Sequence, residues 1–402
     1  MKIHRALRYE LKTNIAQRIL LAKHAGCARF AFNWGLHKRI ELYAREKKST
    51  NAIEQHRLLN SLKSTEFPWM YEVSKCAPQE ALRDLDRAFQ NFFRGLKKGQ
   101  QIGFPSFKRK GDRDSFRLTG TIKVQGKKLQ LPRFGTLTLK ENAKPIGKIL
   151  SSTITREADR WYVSLTVEHE IPDPVAIQGE AVGVDVGLTC FAALSNGEKI
   201  YAPKPLGKKL KKLKRLSRQH SQKTKGSNNR KKSALKLSRL HRNIRNIRKD
   251  FLHKETTKLA KTKSVIVLEN LNIKKMLKNR TLSRKISDTG WHEYCRMLEY
   301  KTKWYGSKLM IAPQFYPSSK ICSTCGEQVS AMPLSVRHWQ CKRCHSNHDR
   351  DINAAINLLK LSTGSSPGID ACGDTSSGTS QKLVSHVSLK QEVMNGIFVH
   401  KL

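Results

Sequence analysis

Acidic residues are scarce in this chain. Among 402 residues, 32 Asp and Glu face 77 Lys and Arg, giving a formal net charge of +45 and a pI near 10.2. Between Lys204 and Lys249 there is no acid at all. Such an excess predicts a polyanionic partner, nucleic acid above all. A membrane surface is the other polyanion, but nothing supports it: the sequence has no run of about 18 apolar residues and no amphipathic anchor. The opening MKIHRALRYELK lacks an apolar stretch, so no secretory signal is expected. A disulfide framework is missing too. Of nine cysteines, four fall in a metal-binding pattern and five are scattered, which fits a reducing compartment.

What is present is enough apolar material, 38% of the chain, to build real cores over two or three domains. The central stretch is Ala181–Ile200, AVGVDVGLTCFAALSNGEKI. It reads as a buried strand to Asp185, a turn at Gly187, a second apolar strand and an Asn196–Gly197 hairpin turn. Asp185 sits inside an apolar run, where an ionised carboxylate is costly unless a cation or hydrogen bonds compensate it. Two later stretches carry comparable acids. Glu269 ends the apolar run SVIVLENL, and Asp351 opens a helix whose Ile352, Ala355, Ile356 and Leu359 fall at helical spacing. Three acids converging at a sheet edge make a hard oxygen-ligand site suited to Mg²⁺. The spacing Cys322-x₂-Cys325, fifteen residues, then Cys341-x₂-Cys344 predicts a closed Cys₄ zinc ribbon with a structural role, His345 and His348 being the alternative ligands.

The motifs GVDVG, VLENL and DRDINAAIN resemble those of a RuvC-like nuclease with the RNase H fold. With the cysteine ribbon between the second and third motifs, the chain resembles the transposon-encoded TnpB family, related to type V CRISPR effectors, from about residue 1 to 360. The resemblance implies that Asp185, Glu269 and Asp351 are catalytic and hold Mg²⁺, with two ions expected. It implies as partners a guide RNA from the transposon end and a double-stranded DNA target beside a short motif. The expected location is cytoplasmic and nucleoid-associated, in a prokaryote.

Along the chain, residues 1–14 alternate as a strand, and a helical pattern starts at Ala16. After Pro68 and Pro78 comes an apolar stripe of Leu82, Leu85, Phe89, Phe92 and Phe93. Lys75 and Gln79 flank that helix start; they read as solvated surface or, by the resemblance, as DNA contacts. Phe104–Gly111 is a basic turn with two aromatics, and its Lys108 and Arg109 are candidate backbone contacts. Residues 116–170 read as strands with turns at Gly126–Lys127 and Phe134–Gly135, forming a small β-barrel with the first strand. Residues 204–249 read as two basic helices broken at Ser221–Lys232. Lys211, Lys212, Arg215, Arg239, Arg242 and Arg245 are their candidate phosphate contacts. Asp288 reads as the N-cap of the following helix, and Lys308–Pro313 as a strand.

The expected fold class is α+β and multidomain. A β-barrel wedge (1–14 and 112–172) carries a helical recognition insertion (15–111). A RuvC-like α/β nuclease domain (173–320 and 346–361) carries the zinc ribbon (321–345), and a disordered tail (362–402) follows. The function expected is RNA-guided, metal-dependent DNA cleavage. A transposase joining strands with the same acids, and a nuclease-inactive repressor, are the alternatives.

Overall fold

A computed structural model of the chain describes residues 1–333 and 335–363. The expected tail, Cys372 included, lies outside the described residues from 364 onward.

The chain opens with β1 (Lys2–Lys12), followed by α1 (Ile15–Glu46), α2 (Ala52–Ser61), a short 3₁₀ turn (Pro68–Glu72) and α3 (Cys76–Lys97). Asn14 and Asn51 start α1 and α2 as reciprocal capping boxes with Gln17 and Glu54. α1 runs unbroken through Gly26 and Gly35. Gly35 is used for contact: a Cβ there would stand 2.6 Å from a methyl of Leu82, so α1 and α3 pack closely at this point. Five strands follow: β2 (Ser115–Leu118), β3 (Lys123–Leu131), β4 (Gly135–Ala143), β5 (Lys148–Glu157) and β6 (Arg160–Glu170). With β1 they form an antiparallel sheet in the order β2-β5-β6-β1-β4-β3.

Two expectations change here. The sheet is an open half-barrel rather than a closed barrel, because β2 and β3 end it on opposite sides. Gly126–Lys127 is not a turn. β3 continues through it against β4, with a register irregularity between Gly126 and Lys128 and a positive φ of 57° at Gly126. A glycine inside a strand marks such a bulge as readily as a turn. Leu118, Leu129, Leu137, Leu139, Ile154, Val163 and Leu165 of the sheet share one core with Leu21, Leu36, Leu82 and Leu85 of the helices.

The second half contains β7 (Val182–Val186), β8 (Ala192–Leu194), β9 (Lys199–Ile200), α4 (Pro205–Ser221), α5 (Asn228–Thr262) and β10 (Val265–Leu268). It continues with α6 (Ile273–Met276), α7 (Ser283–Thr289), α8 (Trp291–Tyr305), β11 (Lys308–Ile311), β12 (His338–Gln340), β13 (Asn347–Asp349) and α9 (Arg350–Lys360). The sheet order is β11-β10-β7-β8-β9, with β11, β10 and β7 parallel and β8 and β9 antiparallel. Strand alternation divides its faces. Ile266 and Leu268 pack with Leu252, Leu259, Tyr294, Met297 and Leu298 of α5 and α8, while Val267 packs with Leu358 of α9.

Asp288 is a cap, but of a different helix from the one expected. It lies inside α7, and α8 is preceded by Gly290 in the left-handed conformation. Its carboxylate accepts instead from the backbone N–H groups of Leu206 and Gly207, at 3.1 and 3.0 Å, at the start of α4. Sequence adjacency suggested the next helix; the tertiary fold delivers the carboxylate to a helix 80 residues earlier, whose first N–H groups need an acceptor.

Gly183 fixes the position of α9. A Cβ at this position would overlap the carbonyl oxygen of Ala355 and stand 2.6 Å from the amide nitrogen of Leu359. Both clashing atoms are helix backbone, which cannot rotate away. Gly183→Ala is therefore expected to push α9 off the sheet and to destabilise the protein by about 1–3 kcal/mol. Thermal unfolding of the purified variant checks this; an unchanged Tm would show that the helix is not seated there.

Candidate functional site

The close approach at Gly183 brings the sequence-distant acids together. From Gly183 two residues along β7 to Asp185 is about 6–7 Å. From Ala355 one turn back along α9 to Asp351 is about 6 Å. The two advances match, so Asp351 arrives beside Asp185. On the other side of β7, Val184 is in register with Leu268 of β10, which puts Glu269 at the end of the neighbouring strand. All three acids are half-buried.

Their electrostatics show the cost of this arrangement. Burial pushes the Asp185 carboxyl well above the usual carboxylate range, and the charges of Glu269 and Asp351 push it further; Arg350 and Arg337 offset only part of this. Burial also raises Glu269. Oxygen donors that resist ionisation because they lack a compensating charge fit a hard divalent cation. The carboxylates are not drawn tightly around one point: among the described residues, only the cysteines below bring three or more candidate ligand atoms within 4.8 Å of one another.

Neighbouring groups orient the acids. Asp349 caps α9, accepting from the N–H groups of Asp351 and Ile352, both at 3.1 Å. Its other oxygen accepts from the Lys199 ammonium at 2.6 Å. Burial raises the Asp349 carboxyl, but Lys199 and the two N–H groups outweigh it and leave it below the usual range. Arg337 reaches Asp351 at 3.2 Å and Thr189 at 3.5 Å. Lys199 and Arg337 are not legible from the sequence, since an isolated base in so basic a chain carries no signal.

Cys322, Cys325, Cys341 and Cys344 form a cluster whose sulfurs lie within 4.8 Å of one another, a set that could hold a metal ion. Cys322 and Cys341 are buried. Hydrogen bonding with Ser346 lowers the Cys344 thiol, towards the thiolate that binds metal, whereas burial and the neighbouring sulfurs raise Cys325. His348 is a neighbour of the cluster: its Nε2 lies 3.0 Å from the Cys322 sulfur and its ring rests against Trp339. The hairpin of β12 and β13 leads from this cluster directly into α9.

The candidate nucleic-acid contacts separate into two groups. Lys211, Lys212 and Arg215 are exposed along α4, as are Lys75 at the start of α3 and Arg109; Gln79 is half-buried in the first turn of α3. Lys108 is clamped by its backbone to the side chain of Asn33, with its ammonium 3.8 Å from the Phe32 ring centre. Arg239, Arg242 and Arg245 are engaged elsewhere. Arg239 and Arg242 pair with Asp159, at 2.8 and 3.1 Å, and Arg245 pairs with Glu157, which also receives Arg8. These three arginines brace α5 against the β5–β6 turn, and the Arg239 side chain stays half exposed beside its partner.

Three stretches match known family patterns. Residues 1–48 match a "Helix-turn-helix domain", residues 164–280 a family described as "Probable transposase", and residues 291–358 a "Cas12f1-like, TNB domain". A Streptomyces pristinaespiralis protein named "Putative RNA-guided DNA endonuclease" is 37% identical over 387 residues, covering 93% of this chain and 92% of its own length. An Escherichia coli (strain K12) protein named "Putative RNA-guided DNA endonuclease InsQ" is 32% identical over 392 residues, covering 93% and 95%. The chain belongs to the TnpB family. Its fold is that of the protein in the "Cryo-EM structure of the Cas12f1-sgRNA-target DNA complex", with a TM-score of 0.54 over 89% of this chain and 99% of that one, at 14% identity. In this TnpB-family chain the helix-turn-helix match falls on β1 and the single long helix α1. No helix among the described residues is long and apolar enough to cross a membrane.

The raised Asp185 has a consequence for stability. The folded chain holds the Asp185 proton more tightly than the unfolded chain does. Its contribution is therefore complete below the unfolded value, about 3.9, and is lost as pH rises through the raised folded value. Asp185→Asn, neutral at every pH, is expected to raise the Tm of Mg²⁺-free protein near neutral pH and to change it little under acid conditions. A Tm gain that grew towards acid pH would contradict the sign of this effect.

Proposed function

We propose that this TnpB-family chain is an RNA-guided, metal-dependent DNA endonuclease, with Asp185, Glu269 and Asp351 as the metal-binding acids of a RuvC-like site. The observation that carries this reading is the cluster of two raised carboxylates and a third beside them, held at one sheet edge by the seat of α9 on Gly183. The relatives' names, which specify RNA-guided DNA endonucleases, support the substrate and the guide. The guide is read as RNA from the transposon end, and the target as duplex DNA beside a short motif.

In this reading the sheet from β7 to β11 with its helices is an RNase H-like nuclease domain, residues 173–320 and 346–361. The open sheet (1–14 and 112–172) is the wedge, residues 15–111 are the recognition insertion, and residues 321–345 are a zinc ribbon. Asp185, Glu269 and Asp351 would hold two Mg²⁺ ions, whose chemistry when bound would be activation of water and stabilisation of the leaving oxygen. The chain's own contribution is positional. Asp185 and Glu269 offer oxygens from adjacent strands, and Asp349 fixes the first turn of α9, and with it Asp351. Arg337 donates to the Asp351 carboxylate at 3.2 Å and orients it. Lys211, Lys212 and Arg215 would meet phosphates, with Lys75, Gln79, Lys108 and Arg109 as further contacts. Strand transfer by the same acids is the second reading, favoured by the family description "Probable transposase". A repressor with a dead site is disfavoured because all three acids are present.

Asp185→Ala, Glu269→Ala and Asp351→Ala are each expected to abolish cleavage while leaving RNA and DNA binding largely intact. Asp349→Ala should retain partial activity, since it loosens a helix cap instead of removing a ligand. The assay uses protein carrying its co-purified RNA, sequenced to design the matching DNA target. Wild-type cleavage in any of the three variants would remove that residue from the site, and target strands joined to donor ends would favour the transposase reading.

The cysteine cluster is proposed to hold one structural zinc. A bound Cys₄ zinc contributes about 10–16 kcal/mol of apparent free energy, far beyond what so small a ribbon gains from its own core. Cys322→Ser or Cys341→Ser should reduce zinc from close to one per chain to little. Cleavage should fall strongly, because β13 runs directly into the helix of Asp351, with a smaller loss of RNA binding. Full activity in zinc-free protein supplied with Mg²⁺ would break this link.

A further inference from the structure

Phe315 is an aromatic ring in an unfavourable position on two counts. It is 83% exposed, although a ring of its size normally contributes to stability by burial. Its backbone is also left-handed, with φ of 68°. The N–H of Tyr316 donates to the carbonyl of Pro313 at 3.3 Å, closing a four-residue turn with Phe315 in its third position. A positive φ at that position is the one glycine ordinarily fills, and for a bulky side chain it is an outlier. The next residue explains how the turn is held, though not why it carries a phenylalanine. Tyr316 packs on the core of Val267, Ala312 and Leu358, and its hydroxyl donates to the Asn357 carbonyl of α9 at 3.4 Å. The turn is thus pinned from beneath, and Phe315 is left pointing away from any core.

The turn lies at the edge that carries the acids. Ile311 of β11 is in register with Leu268, and the Ala312 N–H donates to the Leu268 carbonyl at 2.8 Å, one residue before Glu269. From Ala312 to Phe315 is three residues, at most about 10 Å of chain. A strained, exposed ring therefore stands within a short reach of the carboxylates, on a chain of net charge +45. Among surfaces that seek an exposed aromatic ring, unpaired nucleic acid fits this charge best. A base in a duplex has both faces covered by its neighbours, whereas an unpaired base has a free face for an aromatic ring.

Resting on the nuclease reading above, we propose that Phe315 is a positioning residue whose ring stacks on an unpaired base of the DNA strand held at the carboxylate site. Stacking would register the strand so that a phosphate lies over the acids. The side chain holds no cation and transfers no proton.

Phe315→Gly and Phe315→Trp in the full chain with its co-purified RNA test this. Glycine removes the backbone strain, so Phe315→Gly should melt at the same temperature or higher and keep its zinc. Its KM for single-stranded DNA should nevertheless rise about 10-fold or more, as loss of one base–aromatic stack implies, with a smaller change in kcat. Phe315→Trp should restore KM. A second measurement uses single-stranded DNA containing 2-aminopurine, bound to Asp185→Ala protein: its fluorescence should be quenched with Phe315 and recover in the Asp185→Ala, Phe315→Gly double variant. Unchanged KM and unchanged quenching in the glycine variants, with cleavage still dependent on Asp185, would sink the stacking role and leave the nuclease reading standing. Cleavage that survives Asp185→Ala would sink the nuclease reading, while the fluorescence would still report stacking. A lower Tm with lost zinc in Phe315→Gly would make the residue structural and overturn the proposal.

Discussion

The contact on which the rest of the second half depends is backbone against backbone, where α9 lies on β7 at Gly183. A helix normally stands off a sheet by the length of the side chains between them. Here there is none on the strand side, and the helix carbonyl of Ala355 occupies the space a Cβ would need. The absence of one methyl group sets the separation of Asp351 from Asp185. It also explains why Val182 and Val184 serve a different core from Leu358: β7 alternates between a deep apolar face and a nearly bare one. The repulsion among the acids acts against this contact, and the packing of Val267, Ala312 and Leu358 holds it closed.

With so few acids in the chain, the position of each one is informative. Asp288 serves the start of α4, Asp349 the start of α9, and Glu157 and Asp159 gather arginines from α5. These placements use the carboxylate as a fixed structural anion that satisfies N–H groups or guanidinium forks. Asp185 and Glu269 differ in kind. Burial raises both, and no hydrogen bond offsets it. That contrast separates them from these structural acids, although Glu255 of α5 is also raised by burial, with Lys258 offsetting part of it.

Much of this organisation could be read from the residues. The strands at β7 and β10 are written in β-branched runs, the cysteine spacing allows few alternatives, and the apolar positions of α9 follow helical periodicity. What could not be read is contact between parts of the chain far apart in sequence. Asp288 reads as the cap of its neighbour helix because nothing local points 80 residues back. Gly126 looks like a turn until β4 is seen to pair on both sides of it. Arg239, Arg242 and Arg245 read as free cations because their partners, Glu157 and Asp159, lie on a hairpin some 80 residues earlier. Arg337 gave no sign in the sequence because its role exists only beside Asp351.

The junction between the cysteine ribbon and α9 contains no spacer. Asp349 is at once the last residue of β13 and the cap of α9, and the Arg350 N–H still donates to the Arg337 carbonyl of the facing chain. The two sides of the ribbon therefore differ in how they tolerate changes in length. One residue added between Cys344 and Asp349 would slip β13 against β12, turning its side chains to the opposite face, and displace the cap of α9 and with it Asp351. Arg350 donates to the Pro333 and Val336 carbonyls and Arg337 to Asp351, so the stretch just ahead of β12 is tied to α9 as well. Relatives that vary in ribbon length should accordingly do so between Gln328 and Pro333, and a domain grafted onto this region is best placed there.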